Sequence, residues 1–253
     1  MATSTSHGPG GQMTLVEHLA ELRNRLIKCL LAVAFGMAVI TVFYNPILDI
    51  LKEPYCDSID ERECEFQQIE PTEGLSVRFT VTGYGGLAIA MPIVLWQLWR
   101  FVSPGLYDRE KRYATPFVVS ALTLFLLGAG LAYSTLPQAL SFLNDIGGAD
   151  IETNYRPGAY IRLVSYMMLA FGVGFEFPIL LVFLQMARIL DPETLRRGRR
   201  YAIVLICVLV AVITPSGDPI SMLALSVPMV IFYEISIHIG SWFVRRQEAR
   251  GIT

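Results

Sequence analysis

A long apolar stretch with one carboxylate near its middle constrains this chain more than any other feature of its sequence. The stretch runs from Tyr160 to Ala187, long enough for a helix to cross the roughly 30 Å hydrocarbon core of a bilayer. Glu176 is its acidic residue. A carboxylate at that depth is costly unless it is neutral, paired or hydrated. We therefore expect Glu176 to face protein or water and to serve a function.

The composition places the whole chain in the same class. Of its 253 residues 53% are hydrophobic and 17% are charged, and its mean hydropathy is +0.49. Soluble domains carry about 25% charged residues. We predict a polytopic membrane protein built as one bundle. Nothing indicates nucleic-acid binding, which would require a basic patch on a soluble face.

Six apolar segments are candidate membrane spans. They cover about Leu26–Tyr44, Phe79–Val102, Ala114–Leu136, Tyr160–Ala187, Tyr201–Ile213 and Ile220–Val244. The fifth reaches only about 20 Å as a helix, so it borrows flanking residues or the bilayer thins around it. A re-entrant hairpin of the fifth and sixth segments is the alternative. Internal Pro and Gly predict bent helices, and hence an all-α fold with six transmembrane helices in a bent, concave bundle.

The charge distribution predicts the orientation. Most of the 20 Lys and Arg residues fall on the side that holds both chain ends, so both termini are expected to be cytoplasmic. Residues 1–13 lack a hydrophobic signal segment and are expected to form a disordered cytoplasmic tail. Residues 14–244 then form the membrane domain, and residues 245–253 form a basic cytoplasmic tail. A bacterial cytoplasmic membrane fits this pattern best.

Two of the four cysteines, Cys56 and Cys64, lie in the acidic first external loop. An oxidising outer face permits a disulfide between them. Two free thiols are the alternative, and a metal pair is less favoured because no His lies nearby. Cys29 and Cys207 fall in apolar spans and are interpreted as small core residues.

The N-terminal segment TLVEHLAELRNRL predicts a cytoplasmic helix that leads into the first span. Thr14 and Glu17 form a capping box, and leucines then recur at helical spacing. Glu21 and Arg25 are one turn apart, which is typical of an ordinary salt bridge. Alternatively, Glu21 and Glu110, from the loop segment FVSPGLYDREKR, form an acidic site for a basic peptide. Phe101 would then add apolar or cation–π contact.

In the last span, Glu234 and His238 lie one helical turn apart. A metal pair there would lack further ligands, and a structural hydrogen bond is the favoured role for Glu234. No nucleophile motif or catalytic triad is recognisable. The sequence therefore predicts neither an enzyme nor a cofactor.

Four segments resemble the signature segments of the TatC family, the large subunit of the twin-arginine protein translocase. They are EHLAELRNRL, FVSPGLYDREKR, PTEGL at Pro71–Leu75 and FGVGFEFP at Phe171–Pro178. The resemblance implies a receptor for signal peptides bearing consecutive arginines, which exports folded proteins using the proton-motive force. It also implies the single-span partners TatA and TatB, and we expect a homo-oligomer within the complex.

The resemblance assigns roles to particular residues and makes the peptide site the preferred interpretation of Glu21. Glu21 and Glu110 match the acidic pair that binds the arginines, and Phe101 matches the adjacent aromatic. The other matches are Arg23 and Arg25 in the N-terminal motif, Pro54 and Glu73 in the first external loop, Glu176 in the bilayer, and Thr214 in the partner-docking region. Met222 departs from the family, which often has Gln there.

A proton-coupled secondary transporter of a small solute is the rival hypothesis, with Glu176 as the carrier site. It is disfavoured because the chain shows no internal repeat and has one deeply placed acid.

Overall fold

The chain folds into α-helices in the computed structural model, which describes residues 15–56, 70–102, 114–147, 155–214 and 217–248. Nine helices and no strands occur in these ranges. In chain order they are α1 (Leu15–Val42), α2 (Tyr44–Cys56), α3 (Glu73–Val102), α4 (Ala114–Gly147), α5 (Pro157–Gly174), α6 (Phe177–Met186), α7 (Pro192–Arg197), α8 (Arg199–Ile213) and α9 (Pro219–Glu248). The predicted all-α fold is confirmed.

Five helical segments of the described chain are long and apolar enough to cross a membrane: α1, α3, α4, α9, and α5 together with α6. The predicted fifth span is α8, which has 15 residues and rises about 22 Å. It gains only Arg199 and Arg200 over the prediction, so borrowing of flanking residues does not make it full length. The first span begins earlier than predicted because α1 includes the amphipathic N-terminal segment.

Contacts between helix ends define two ends of the bundle. The cytoplasmic end holds the start of α1, the end of α3, the start of α4, the end of α6, α7, the start of α8 and the end of α9. Ring contacts of Trp99 with Phe117 and Phe183 join three of these ends. At the outer end, the start of α3 contacts the start of α5 through Glu73 and Gly158. The positive-inside rule gives the two ends their names.

Helices α1 and α3 approach each other closely because glycine faces glycine at their contact. A Cβ on Gly36 would overlap the backbone oxygen of Gly86. A Cβ built on Gly86 would lie 2.6 Å from the backbone nitrogen of Met37. Small residues at such contacts let membrane helices pack backbone to backbone. The same packing brings the cytoplasmic ends of α1 and α3 together.

The fourth predicted span is divided rather than continuous, which corrects the single-span prediction. Helix α5 ends at Gly174, α6 begins at Phe177, and a turn at Phe175 and Glu176 joins them. Pro178 has no N–H to donate to the carbonyl of Gly174 four residues earlier, so the helical ladder is interrupted there. The predicted bend is thus a break at Glu176.

Helix α2 confirms that the first external segment contains a helix against the bundle. Pro54 lies inside α2 and cannot donate to the carbonyl of Ile50. The hydroxyl of Tyr133, from α4, lies 2.9 Å from that carbonyl oxygen. Tyr160, from α5, donates to the carbonyl of Leu51 at 2.9 Å. The side chain of Pro54 is buried, and the tyrosines fix α2 over the outer end.

The glycine contact makes a paired prediction. Gly86→Ala should destabilise the protein by about 1–3 kcal/mol, because its Cβ meets the backbone of α1 and the helices must move apart. Gly83→Ala is the matched control, since its Cβ would find no atom within 4 Å. That change should leave the thermal unfolding midpoint in detergent equal or higher, because Ala favours helix. Equal midpoints for both variants would contradict the proposed packing.

Candidate functional site

A cavity of about 430 Å³ opens between α1 and α3 at the cytoplasmic end. Its walls are almost wholly polar and carry both signs of charge. The lining residues are Glu17, Ala20, Glu21, Asn24, Arg25, Lys28, Gln97 and Arg100. We call this the α1–α3 cavity.

Glu21 and Arg25 form the ion pair that their one-turn spacing predicted. The Nε of Arg25 donates to Oε1 of Glu21 at 3.2 Å, and Nη2 donates to the same oxygen. The other carboxylate oxygen, Oε2 of Glu21, is buried without a hydrogen-bond partner among the described residues. A buried acceptor without a partner is costly, so Oε2 is ready to receive a donor.

Phe101 lies in the last turn of α3, on the same end of the bundle as Glu21. Its ring stacks on His18 of α1, with ring centroids 4.7 Å apart and an interplanar angle of 28°. His18 was not among the predicted site residues, although it lies one turn before Glu21 and its position on that helix face could have indicated it. The structure thus brings Glu21, Arg25 and Phe101 to one region.

Two other predicted site residues are not brought into this cavity by the described structure. Arg23 is exposed and lies about 200° around the helix from Glu21, so it points away from the cavity. Glu110 lies outside the described residues. Its proximity to Glu21 therefore stays a prediction.

Glu176 occupies the turn between α5 and α6, where it is half-buried. Its Oε1 is buried and has no hydrogen-bond partner among the described residues. The preceding ring of Phe175 contacts Phe232 of α9 edge to face, at a centroid distance of 5.2 Å. The turn is therefore held against α9 while one carboxylate oxygen is left without a donor.

The other two predicted intramembrane polar residues are satisfied by their surroundings. Glu234 accepts a hydrogen bond of 2.7 Å from Nη2 of Arg199, at the start of α8. Thr214 is buried and its hydroxyl donates to the carbonyl of Val210 at 2.8 Å. Glu234 thus has the structural role expected for it, and the Thr214 hydroxyl bonds its own helix.

At the outer end, Glu73 caps a neighbouring helix. Its Oε1 accepts the backbone N–H of Gly158 at 3.1 Å, in the first turn of α5. The N-cap residue of α5, Arg156, provides no side-chain cap of its own. A carboxylate at a helix N-terminus satisfies a free donor and opposes the helix dipole favourably. Glu73 therefore joins the start of α3 to the start of α5.

The cysteine prediction is met only in part by the described residues. Cys56 ends α2 and is disulfide-bonded. Cys64 lies outside the described residues, so the Cys56–Cys64 pairing stays a prediction. Cys29 and Cys207 are free thiols in partly buried positions.

Gln185 is a buried polar residue that the sequence analysis missed. Its side-chain nitrogen donates to the carbonyls of Leu181, at 3.2 Å, and Ser236, at 3.0 Å. Gly240 of α9 leaves the space that this amide fills, because a Cβ there would overlap it. Gln185 thus fastens α6 to α9. A polar residue within an apolar stretch was the available signal.

The fold and these sites define a multi-pass helical membrane protein with a polar cavity at its cytoplasmic end and a carboxylate in its interior. The family model for the Sec-independent protein translocase protein (TatC) matches residues 17–228, and the chain belongs to this family.

Relatives and solved structures agree. The chain is 38% identical over 252 residues to the TatC protein of Frankia casuarinae, covering 96% of this chain and 69% of that one. It is 38% identical over 239 residues to the TatC protein of Aquifex aeolicus, covering 93% and 98%. A crystal structure described as the twin-arginine translocase receptor TatC superposes with a TM-score of 0.75 at 37% identity, covering 90% of this chain and 100% of that one.

The helix cap makes a prediction about stability. Glu73→Ala should lower the free energy of unfolding by about 1–2 kcal/mol, because the N–H of Gly158 loses its acceptor and the α5 dipole its charge. Asp49→Ala is the control, because that carboxylate is exposed and its pair with Lys52 spans 3.9 Å. The control should change stability by under about 0.5 kcal/mol. Thermal or chemical unfolding in detergent measures both, and indistinguishable variants would remove the capping role.

Proposed function

We propose that this chain is the signal-peptide receptor and core subunit of a twin-arginine translocase. It binds signal peptides bearing consecutive arginines at its cytoplasmic end and exports folded proteins using the proton-motive force. It performs no bond chemistry and needs no cofactor. The observation that carries the proposal is the unpartnered Oε2 of Glu21 in the α1–α3 cavity, in a chain of the TatC family.

The chemistry of the cavity suits arginine better than lysine. A guanidinium offers several N–H donors in a planar fork and stays charged at any physiological pH. Oε2 of Glu21 accepts one such donor, and the ring of Phe101 offers a face on which the guanidinium plane can lie. A lysine ammonium is more strongly hydrated and lacks the planar fork.

Glu110 supplies the second carboxylate in this proposal. Two adjacent arginines carry two charges, and Glu21 already neutralises Arg25. A further acid is therefore required for charge balance. Glu110 follows the end of α3, the helix that carries Phe101, and is the acid that the resemblance assigns to this role.

Within the membrane, the partners are single-span subunits of the TatA and TatB type. Helix α8 offers them a surface, because Val204, Leu205, Val208 and Val212 are all exposed along it. Glu176 offers a carboxylate oxygen without a donor. Thr214 contributes shape rather than a hydrogen bond, since its hydroxyl is already used. The complex contains several copies of this chain and resides in the bacterial cytoplasmic membrane.

The rival hypothesis of a proton-coupled solute transporter is not favoured. The family match spans most of the chain, and both relatives described above are named as protein translocase subunits. Glu176 then acts in partner engagement and not as a solute carrier.

Peptide binding tests the receptor function. The purified protein should bind a labelled twin-arginine signal peptide and lose it when both arginines become lysines. Glu21→Gln and Glu110→Ala should each weaken binding at least about tenfold, because each removes a charge-assisted hydrogen bond. Glu193→Gln is the control, an exposed acid of α7 paired with Arg197 at 3.9 Å, and should bind normally. Intact binding by Glu110→Ala would show that the acidic pair is misassigned.

Glu176 makes a separable prediction. Glu176→Gln should leave peptide affinity within about twofold, because the residue lies in the interior break between α5 and α6. The same variant should reduce transport of a folded reporter and co-purification of TatA-type or TatB-type subunits. Full transport by Glu176→Leu would show that the carboxylate is only tolerated, and an equal loss of peptide binding would show that its site is wrongly placed.

A further inference from the structure

Arg25 makes an unusual set of contacts for a residue in an ordinary intrahelical salt bridge. Its Nε and Nη2 both donate to Oε1 of Glu21, and its Nη1 donates to the carbonyl oxygen of Gln97 on α3 at 3.1 Å. The Arg25 side chain is only 14% exposed. Each of its three nitrogens thus has a described acceptor, on two different helices.

The geometry of this contact is one-sided. A guanidinium fork commonly bonds both oxygens of a carboxylate at once. Here both donors go to Oε1, while Oε2 stays buried without a partner and Glu21 lines the α1–α3 cavity. Because Nη1 is held by α3, the guanidinium cannot turn to engage both oxygens without losing its bond to Gln97. Arg25 therefore fixes the carboxylate with one oxygen occupied and the other open.

We propose that Arg25 is a positioning residue of the peptide site. It holds Glu21 by Oε1, so that Oε2 is preset for one N–H of an incoming guanidinium. This inference rests on the proposed receptor function and adds a role within it. Arg25 remains in place when the peptide binds, and the ligand arginine adds to the opposite oxygen of the same carboxylate.

Fixing the carboxylate has an energetic reason. A free glutamate must lose side-chain rotamer freedom when it binds, which reduces the affinity gained from the contact. Glu21 has lost that freedom before the peptide arrives, because three hydrogen bonds tie Arg25 to α1 and α3. Preorganisation of this kind raises affinity without any new contact to the ligand.

Lysine at position 25 would separate charge from geometry. It keeps the positive charge beside Glu21 but has a single nitrogen, which cannot reproduce a fork that reaches two helices. The opposite hypothesis is that Arg25 is a placeholder that the peptide must displace. Under that hypothesis, loss of the fork would raise the affinity for the peptide.

The test is a double-mutant cycle on peptide binding by the purified full-length protein. The labelled twin-arginine peptide and its twin-lysine version are titrated against wild type, Arg25→Lys, Glu21→Gln and the double variant. Arg25→Lys should weaken twin-arginine binding about tenfold and narrow the preference over the lysine peptide. In the Glu21→Gln background it should cause no further loss, because Arg25 acts through Glu21. Arg200→Lys, an exposed arginine at the start of α8, is the matched control and should bind as wild type.

The outcomes separate the alternatives. Losses that add in the double variant would overturn the proposal, because a purely structural role through Gln97 persists without the Glu21 carboxylate. Unchanged or tighter binding by Arg25→Lys would overturn it too, and tighter binding would favour the placeholder. If wild type bound both peptides equally, the receptor function would fall and this proposal with it. A wild type that prefers the arginine peptide, with a silent Arg25→Lys, would remove only the role of Arg25.

Discussion

Within a bilayer core, polar groups can find partners only inside the protein, and this constraint organises the helices of this chain. Pro54 and Pro178 each withdraw a backbone donor from a helix, and the two sites are resolved differently. At Pro54 the hydroxyl of Tyr133 reaches the carbonyl of Ile50, so α2 continues and becomes fixed to α4. At Pro178 the chain turns instead, and Glu176 comes to lie in the turn. The position of the functional carboxylate thus follows from the way in which a backbone defect is accommodated.

The α1–α3 cavity depends on the same economy of contacts, one helix length away from α2. Gly36 and Gly86 allow the two backbones to meet, and that approach lets Arg25 of α1 reach the carbonyl of Gln97 on α3. Side chains larger than hydrogen at the crossing would push the helices apart and break a bond of 3.1 Å. A contact deep in the bundle therefore sets the geometry of a site at the surface.

Much of this architecture could be predicted from sequence because bilayer thickness and charge asymmetry are strong signals. Apolar length placed the spans, and the positions of Lys and Arg placed the ends. The break at Phe175 and Glu176 was predicted only as a bend, because Pro178 indicates a defect and does not show whether neighbours repair it. The stacking of His18 on Phe101 was missed because it joins residues far apart in the chain. Likewise, spacing predicted the Glu21–Arg25 pair but could not show which carboxylate oxygen it uses.

Glu21 and Glu176 share one property that explains their different roles. Each keeps one buried carboxylate oxygen without a donor among the described residues, a condition that costs about 1–3 kcal/mol. Glu234 shows that the fold can satisfy an acid when it needs only stability, because Arg199 lies within 2.7 Å. Retaining two unsatisfied oxygens is therefore a cost that binding can recover. At Glu21 the cavity is polar and at the cytoplasmic end, which suits a charged peptide. At Glu176 the surroundings are aromatic and aliphatic, so a partner there must bring its donor on an apolar helix, and the two acids recognise different ligands.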